Sequence, residues 1–183
     1  MEYRLTTPCT AQDLAPLKAG DTVLLSGVVY TARDQAHKRM MERWTRAKRC
    51  PFPLRQRHLL CRPHPERPGE VIGSAGPTTS GRMDAMSPRL LDLGNKIMIG
   101  KGKRDAAVKA AVVRNGAVYL AALGGAGALM AKSVQTLEVI AWPDLGCEAV
   151  RRLTVQDMPL TVVLDAHGGD LYEAGPAAYL ATR

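Results

Sequence analysis

Apolar positions in the first quarter of the chain predict a short helix, a strand and a longer helix. Thr10 precedes the run 11–14 and has the side chain of a helix N-cap. Residues 21–32 form a β-branched apolar run, which is typical of a strand. Apolar residues then recur at i+3 and i+4 spacing and predict a helix over 33–48 with one apolar face. That face consists of Ala36, Met40, Trp44 and Ala47.

The alternation of strands and helices continues to the end of the chain. Prolines predict a loop over 50–69 around a strand at 57–62, and a strand at 70–76 leads into a helical segment through Leu93. Further strand-to-helix units are predicted within 97–116, where Asn115-Gly116 ends the helix, and within 117–134. Short strands follow at 136–142 and within 160–172, the last with a Gly-Gly turn. This order predicts an α/β domain with a mixed central sheet flanked by helices.

Length and composition fit a single domain over residues 1–183. The chain is 46% hydrophobic, which is enough for a core. It has no apolar run of membrane-spanning length and no signal-peptide pattern, so we expect a cytoplasmic protein with no membrane partner. The four cysteines have no metal-ligand spacing, and we expect free thiols and no metal ligands on this chain.

The net charge of +8 comes from one segment. Residues 31–67 contain 11 of the 25 basic residues but only three of the 17 acidic ones. Such a stretch is typical of a solvated face, a docking surface for an acidic partner, or a nucleic-acid-binding module. Aromatic residues make up only 4% of the chain and no nucleic-acid motif is present, so we expect no nucleic-acid partner.

Three polar loops follow predicted strands and open helices, at 31–33, 76–82 and 100–104. The carboxyl ends of neighbouring parallel strands meet at one crevice. We therefore expect five side chains from these loops to converge: Arg33, Thr78, Thr79, Arg82 and Lys101.

The loop GPTTSGR, residues 76–82, is suited to an anion. Two hydroxyls and a guanidinium beside a helix N-terminus favour carboxylate or phosphate. The same pattern also fits a capped helix start with a surface arginine. GKGKR, residues 100–104, lacks the Walker A spacing, although Lys101 between two glycines can lie close to a ligand. His37 stands four residues after Arg33 and either faces the same pocket or is an ordinary polar helix residue.

Five segments, taken in order, resemble one enzyme family. They are GDTVLLSGVVYTARDQAHKRM (20–40), VIGSAGPTTSGRMD (71–84), IGKGKR (99–104), YLAALGGAGALMAKSV (119–134) and DLGCEAVRRLTVQDMPLTVVLDAHGGDLY (144–172). Together they resemble the β subunit, or C-terminal domain, of class I iron–sulfur fumarate hydratases and related tartrate dehydratases. The resemblance implies a swivelling β/β/α domain. It also implies a separate α subunit that binds the [4Fe–4S] cluster, paired as αβ and dimerised as α2β2.

The resemblance also implies roles for individual residues. Arg33, Thr79 and Arg82 match substrate-binding positions of the family, and Lys101 matches a lysine next to the substrate. Thr78 matches a threonine proposed as the catalytic base, with the Lys101 ammonium as its electrostatic support. His37 is an additional substrate-binding candidate from its spacing alone.

The expected function is the reversible hydration of fumarate to malate in the tricarboxylic acid cycle. This chain would supply dicarboxylate-binding and proton-transfer residues and would be inactive without its α partner. Gly81 and Asp84 favour the fumarate branch over tartrate dehydratase, which remains the alternative. A nucleic-acid module and a non-catalytic scaffold are the alternatives of other classes.

Overall fold

The computed structural model describes residues 1–45, 58–59, 61–64 and 68–182. The described strands are β1 Glu2–Thr6, β2 Thr22–Thr31, β3 His58–Leu59, β4 Cys61–His64, β5 Ser74–Pro77, β6 Ile97–Gly100, β7 Val118–Ala121, β8 Val134–Ala141 and β9 Val150–Leu164. The helices are α1 Ala11–Leu14, α2 Asp34–Thr45, α3 Ser87–Asp92, α4 Ala106–Arg114, α5 Gly127–Lys132 and α6 Leu171–Ala181. Two 3-10 segments, Ser80–Met83 and Pro143–Glu148, complete the elements.

Seven of the described strands form one mixed sheet in the order β1-β2-β3-β6-β7-β9-β8. Strands β2, β3, β6 and β7 run parallel to one another, and β9 is antiparallel to β7, β8 and β2. Because β9 pairs with both β7 and β2, the pairings β2-β3-β6-β7-β9 return to β2. Strands β4 and β5 form a separate antiparallel pair. The predicted α/β class with a mixed sheet flanked by helices is confirmed.

The local signals of the sequence place the early helices correctly. The Thr10 side chain caps α1 by accepting from the Asp13 amide, and the Thr10 amide donates to the Asp13 carboxylate, which completes a capping box. Ala36 and Met40 are buried on α2, as the spacing predicts. The predicted end of that helix, residues 46–48, lies outside the described residues, as does most of the predicted loop 50–69. Helix α4 ends at Arg114, and Gly116 follows with a φ of 54°.

The C-terminal part corrects the prediction of several short strands. Strand β9 has 15 residues, because β2 pairs along one of its edges while β8 and then β7 pair along the other. Helix α6 was not predicted, because its residues show no buried apolar face that a periodicity could reveal. The helical segment predicted through Leu93 is divided into the 3-10 turn Ser80–Met83 and helix α3.

Helices α3 and α4 cover the parallel part of the sheet. Val108, Ala111 and Val112 of α4 share one buried cluster with Met98 of β6 and Tyr119 of β7. Burying such side chains contributes about 1.5–3 kcal/mol for each of the larger ones. The packing holds the carboxyl ends of β6 and β7 in place, and the loops that follow these ends form the candidate site.

Candidate active site

Strand ends bring the predicted loops to one edge of the sheet. Arg33 lies two residues beyond the end of β2, and Lys101 directly follows β6. Thr79 forms a parallel bridge with Lys101, and the Ser80 amide donates to the Lys101 carbonyl at 2.9 Å. The threonine loop therefore lies along the end of β6 and is joined to it by this single bridge.

An ion pair connects Arg82 to the start of helix α2, beside Arg33. Arg82 Nη2 lies 2.7 Å from Oδ2 of Asp34, the first residue of α2. The Arg82 side chain is 56% exposed and the Asp34 side chain 16%. The structure thus brings Arg33, Thr79, Arg82 and Lys101 to the same edge, with the half-buried Thr78 next to Thr79.

Arg33 is nearly buried and its hydrogen-bonding capacity is only partly used. Its side chain is 10% exposed, and its Nη2 lies 3.6 Å from Oε1 of Glu148. The other oxygen of Glu148 accepts from the Gln35 amide at 2.9 Å. Among the residues that the structure describes, Arg33 Nε and Asp34 Oδ1 are buried without a hydrogen-bond partner. Buried polar atoms without partners are uncommon and costly, so folding alone does not account for this arginine.

His37 lies in the interior of the protein. Its residue is 2% exposed, and its Nδ1 lies 2.9 Å from the Arg33 carbonyl oxygen. Because a carbonyl only accepts, Nδ1 carries the proton that is donated in this bond. Burial lowers the pKa of His37 to about 4, and the Arg104 cation acts in the same direction. The neutral ring therefore holds the backbone of Arg33, and this burial argues against direct contact with a substrate.

Small residues form the wall beside Lys101. A Cβ added at Gly124, in the turn after β7, would lie 3.9 Å from Cδ of Lys101. Gly102 has a φ of 87°, a conformation that L side chains rarely adopt. The missing side chain at Gly124 thus leaves the turn after β7 close to the aliphatic part of Lys101.

Sequence reasoning missed the acidic partners of both arginines. Asp34 directly follows Arg33 in the chain, and a carboxylate next to a predicted site arginine is the signal that could have identified it. Glu148 carries no such signal, because it is far along the chain from the residues that it contacts. It pairs with Arg33 and accepts from the Gln35 amide, which is 113 positions away. Two tyrosines near Lys101, Tyr119 and Tyr172, were missed for the same reason.

Most of the basic stretch 31–67 lies outside the described side chains. Within the described part, Lys38 is exposed and Arg39 donates to Asp144 at 3.0 Å through Nη1. Arg33 is buried at the site. The basic residues whose side chains are not described are Arg46, Lys48, Arg49, Arg55, Arg57, Arg62 and Arg67.

The described donors do not fit a [4Fe–4S] cluster, which is held by cysteine thiolates. Cys9 is buried, Cys147 is exposed, and both are free thiols. Within the described ranges, no three His, Cys, Asp or Glu side chains lie together as metal ligands. Over the same ranges, every helix is too short or too polar to span a membrane.

Comparison with known proteins supplies the family. The model of the family described as Fumarase C-terminus matches residues 1–175. The chain is 33% identical over 165 residues to an aerobic class I fumarate hydratase of Salmonella typhimurium, and 34% identical over 168 residues to fumarate hydratase 2 of Leishmania major. Each alignment covers 88% of this chain but only 28% and 29% of those enzymes.

A third relative matches along most of its length. A Methanocaldococcus jannaschii protein provisionally named L(+)-tartrate dehydratase subunit beta is 37% identical over 180 residues. That alignment covers 94% of this chain and 92% of the relative. The family match over most of the chain, together with this relative of similar length, shows that the chain belongs to the Fumarase C-terminus family.

Proposed function

We propose that the chain is the β subunit of an iron–sulfur hydro-lyase that reversibly hydrates fumarate to malate. The observation that carries this proposal is the convergence of two arginines and a lysine at one edge, beside two threonines. A dicarboxylate is a dianion, and guanidinium groups bind carboxylates through paired hydrogen bonds. The names of the fumarate hydratase relatives support the same reaction.

Arg33 and Arg82 would hold the two carboxylates of the substrate. Each guanidinium has five N–H donors, so an arginine that already contacts one protein carboxylate retains donors for a second. Arg82 is paired with Asp34 through Nη2 and is otherwise exposed on the surface. Thr79 lies beside Lys101 and would add a hydroxyl contact to one carboxylate.

Thr78 would act as the base that removes the C–H proton of malate. A hydroxyl is a weak base unless its alkoxide is stabilised, and the Lys101 ammonium would lower that cost as a nearby cation. The negative charge that develops on the adjacent carboxylate would be held by the same cations. The C–O bond on the neighbouring carbon would break as the carbon–carbon double bond forms, and the departing hydroxide would take up the proton from Thr78 and leave as water. In the hydration direction, water would add its oxygen to that carbon, and Thr78 would give its proton to the other carbon and receive the proton that the water loses.

A separate α subunit would bind the cluster and complete the site. Because the described donors of this chain do not fit the cluster, we derive no step through it. The two chains would pair as αβ and assemble as α2β2. The purified β chain alone would then have no hydro-lyase activity.

Tartrate dehydration is the second candidate, and the length of one relative favours it. The relative provisionally named as a tartrate dehydratase subunit beta matches over 92% of its length, unlike the much longer fumarate hydratases. We place fumarate first because of Gly81 and Asp84. The sequence GRMD at residues 81–84 resembles the fumarate branch of the family more than the tartrate branch.

The test is anaerobic co-purification with the protein encoded by the adjacent gene, followed by assays with fumarate, mesaconate and tartrate. We expect the pair to consume fumarate, measured by the loss of its ultraviolet absorbance, and each chain alone to be inactive. Turnover of tartrate without fumarate would support the second candidate. Turnover of none of these dicarboxylates by a cluster-loaded pair would contradict the proposal.

The role of Thr78 has its own variant pair. Thr78→Ala should lower kcat by about 10²–10⁴-fold, which is the usual contribution of a general base. Thr136→Ala, an exposed threonine on β8, is the matched control and should retain full activity. Full turnover by Thr78→Ala in the assembled complex would exclude Thr78 as the base.

A further inference from the structure

We propose that Tyr119 and Tyr172 are positioning residues that fix the Lys101–Gly102 turn for proton transfer. This inference rests on the proposed function, because it assigns Lys101 to the reaction. The two tyrosines come from strand β7 and helix α6, which are separate from the loops that carry the site residues.

Both backbone polar groups of Gly102 are held by phenol groups. The Gly102 amide donates to the Tyr172 hydroxyl at 3.0 Å. The Gly102 carbonyl accepts from the Tyr119 hydroxyl at 3.1 Å. Gly102 has a φ of 87°, so the chain leaves the strand conformation at this residue. Its backbone groups are therefore bonded by the two tyrosine side chains and not by a neighbouring strand.

Tyr119 also holds the threonine loop. Its hydroxyl lies 3.0 Å from Ser80 Oγ. Because the single phenol proton is donated to the Gly102 carbonyl, the Ser80 hydroxyl donates to the Tyr119 oxygen. The Ser80 amide also donates to the Lys101 carbonyl at 2.9 Å. One phenol therefore connects the loop of Thr78 and Thr79 to the turn of Lys101.

The Tyr119 ring is itself fixed in the core. Tyr119 is 0% exposed, and the Arg104 guanidinium carbon lies 5.0 Å from its ring centroid. Arg104 is held by Asp84 at 2.6 Å and by the Ser87 hydroxyl at 2.7 Å. Burial raises the pKa of Tyr119 to about 12, so its hydroxyl remains a donor throughout the working pH range.

This arrangement matters because Lys101 is a flexible side chain on a glycine-flanked turn. The backbone of the turn sets the direction in which the Lys101 side chain leaves the main chain. A displacement of a reacting group by about 1 Å can reduce a rate by about 10²-fold. Removing a phenol hydroxyl should therefore slow turnover, whereas Arg33 and Arg82 would still hold the substrate.

Tyr172→Phe and Tyr119→Phe test the inference, with Tyr3→Phe on β1 as the matched control. The first measurement is amide hydrogen exchange of Gly102 in the full isolated chain. Tyr172→Phe removes the acceptor of this amide and should speed its exchange by roughly tenfold, as expected for the loss of one hydrogen bond. Tyr3→Phe should leave it unchanged.

The second measurement is the split between kcat and KM in the assembled complex. Each site variant should lower kcat by roughly 10- to 100-fold and leave KM within about twofold of the unmodified complex. A merely structural role would not separate kcat from KM in this way. Because Tyr119 is fully buried, the half-buried Tyr172 provides the variant that keeps the test decisive if Tyr119→Phe does not fold.

The outcomes separate the inference from the proposed function. Unchanged exchange of the Gly102 amide in Tyr172→Phe would overturn the inference that Tyr172 fixes the turn. Faster exchange with unchanged kcat would overturn the role of the turn in positioning Lys101. If the unmodified complex hydrates no dicarboxylate, the proposed function and the role of the tyrosines in it fall together. In that case the exchange result still decides whether the tyrosines hold the turn.

Discussion

Replacing Asp84 by alanine should destabilise the protein strongly, because it leaves a buried cation without its carboxylate. Asp84 accepts from Arg104 Nε at 2.6 Å and from the Asp105 amide at 2.7 Å. The Arg104 side chain is 0% exposed, and in the variant it would keep the Ser87 hydroxyl and the Met98 sulfur. Removing one partner of a buried ion pair costs about 3–5 kcal/mol in the free energy of unfolding.

Urea unfolding of the isolated chain measures this cost. Tryptophan fluorescence and far-ultraviolet circular dichroism should give coincident transitions with an unchanged m-value. In a thermal scan, a loss of about 3–5 kcal/mol lowers the Tm of a chain of this size by roughly 6–20 °C. The control is Glu138→Ala, which breaks an arginine–carboxylate pair on the surface. Glu138 lies 2.7 Å from Arg152, and the side chains of Arg152 and Glu138 are 54% and 58% exposed. Exposed pairs contribute at most about 1 kcal/mol.

A double variant identifies the stranded charge as the cause. Asp84→Ala with Arg104→Met removes both charges, so it should be less destabilised than the sum of the two single variants. If Asp84→Ala costs no more than Glu138→Ala, the Arg104–Asp84 pair does not behave as a buried ion pair. Simple additivity in the double variant would likewise refute the electrostatic explanation.

Three further predictions concern pH, substrate binding and packing. Burial lowers the pKa of His37 to about 4 in the folded state, whereas the histidine has a pKa of 6.5 in the unfolded state. Between these two pH values the unfolded state binds a proton that the folded state does not, and this favours unfolding. Stability should therefore fall by about 3 kcal/mol as the pH drops from 6.5 to 4, and His37→Asn should remove this loss. In the assembled complex, Asp34→Ala should raise KM by roughly tenfold, because Arg82 loses the carboxylate that orients it. Gly127→Ala should destabilise the chain by about 1 kcal/mol or more, because its Cβ would lie 3.2 Å from Gly76 Cα and N.

Each of these predictions has an internal comparison. Equal pH slopes for the unmodified chain and His37→Asn between pH 6.5 and 4 would show that the histidine is not a buried neutral group. Asp144→Ala breaks the pair with Arg39 and should leave KM unchanged. A Cβ added at Gly76 would have no described atom within 4 Å, so Gly76→Ala should change stability by less than about 0.5 kcal/mol. An equal cost at both glycines would refute the packing argument.

Features of the fold that depend on local signals were predictable from the sequence. The capping box at Thr10 and the end of α4 at Arg114 each rest on a few adjacent residues. The length of β9 was not predictable, since it results from pairing with strands more than 100 positions earlier along one edge. Helix α6 was missed because its residues form no buried stripe, and periodicity detects only such stripes.

The convergence of the site loops could be predicted because it follows from topology. Parallel strands place their carboxyl ends together, and Arg33 and Lys101 follow two such ends. The groups that orient these residues could not be predicted, because they reach the site through tertiary packing. Tyr172 contacts Gly102 across 70 positions, and Glu148 meets the start of α2 from the far end of the chain.

The acidic partners change how the charge of the site should be understood. A nearly buried arginine such as Arg33 is costly unless a carboxylate accompanies it, and Glu148 has this role at 3.6 Å. Arg82 is exposed, but Asp34 holds it beside the start of α2 at 2.7 Å. Without these acids the cations would attract any anion from many directions, whereas with them each guanidinium has one edge occupied and presents the remaining donors in a set direction. The basic stretch as a whole therefore explains little of the proposed binding, and removal of an acid is expected to weaken binding of a negatively charged substrate.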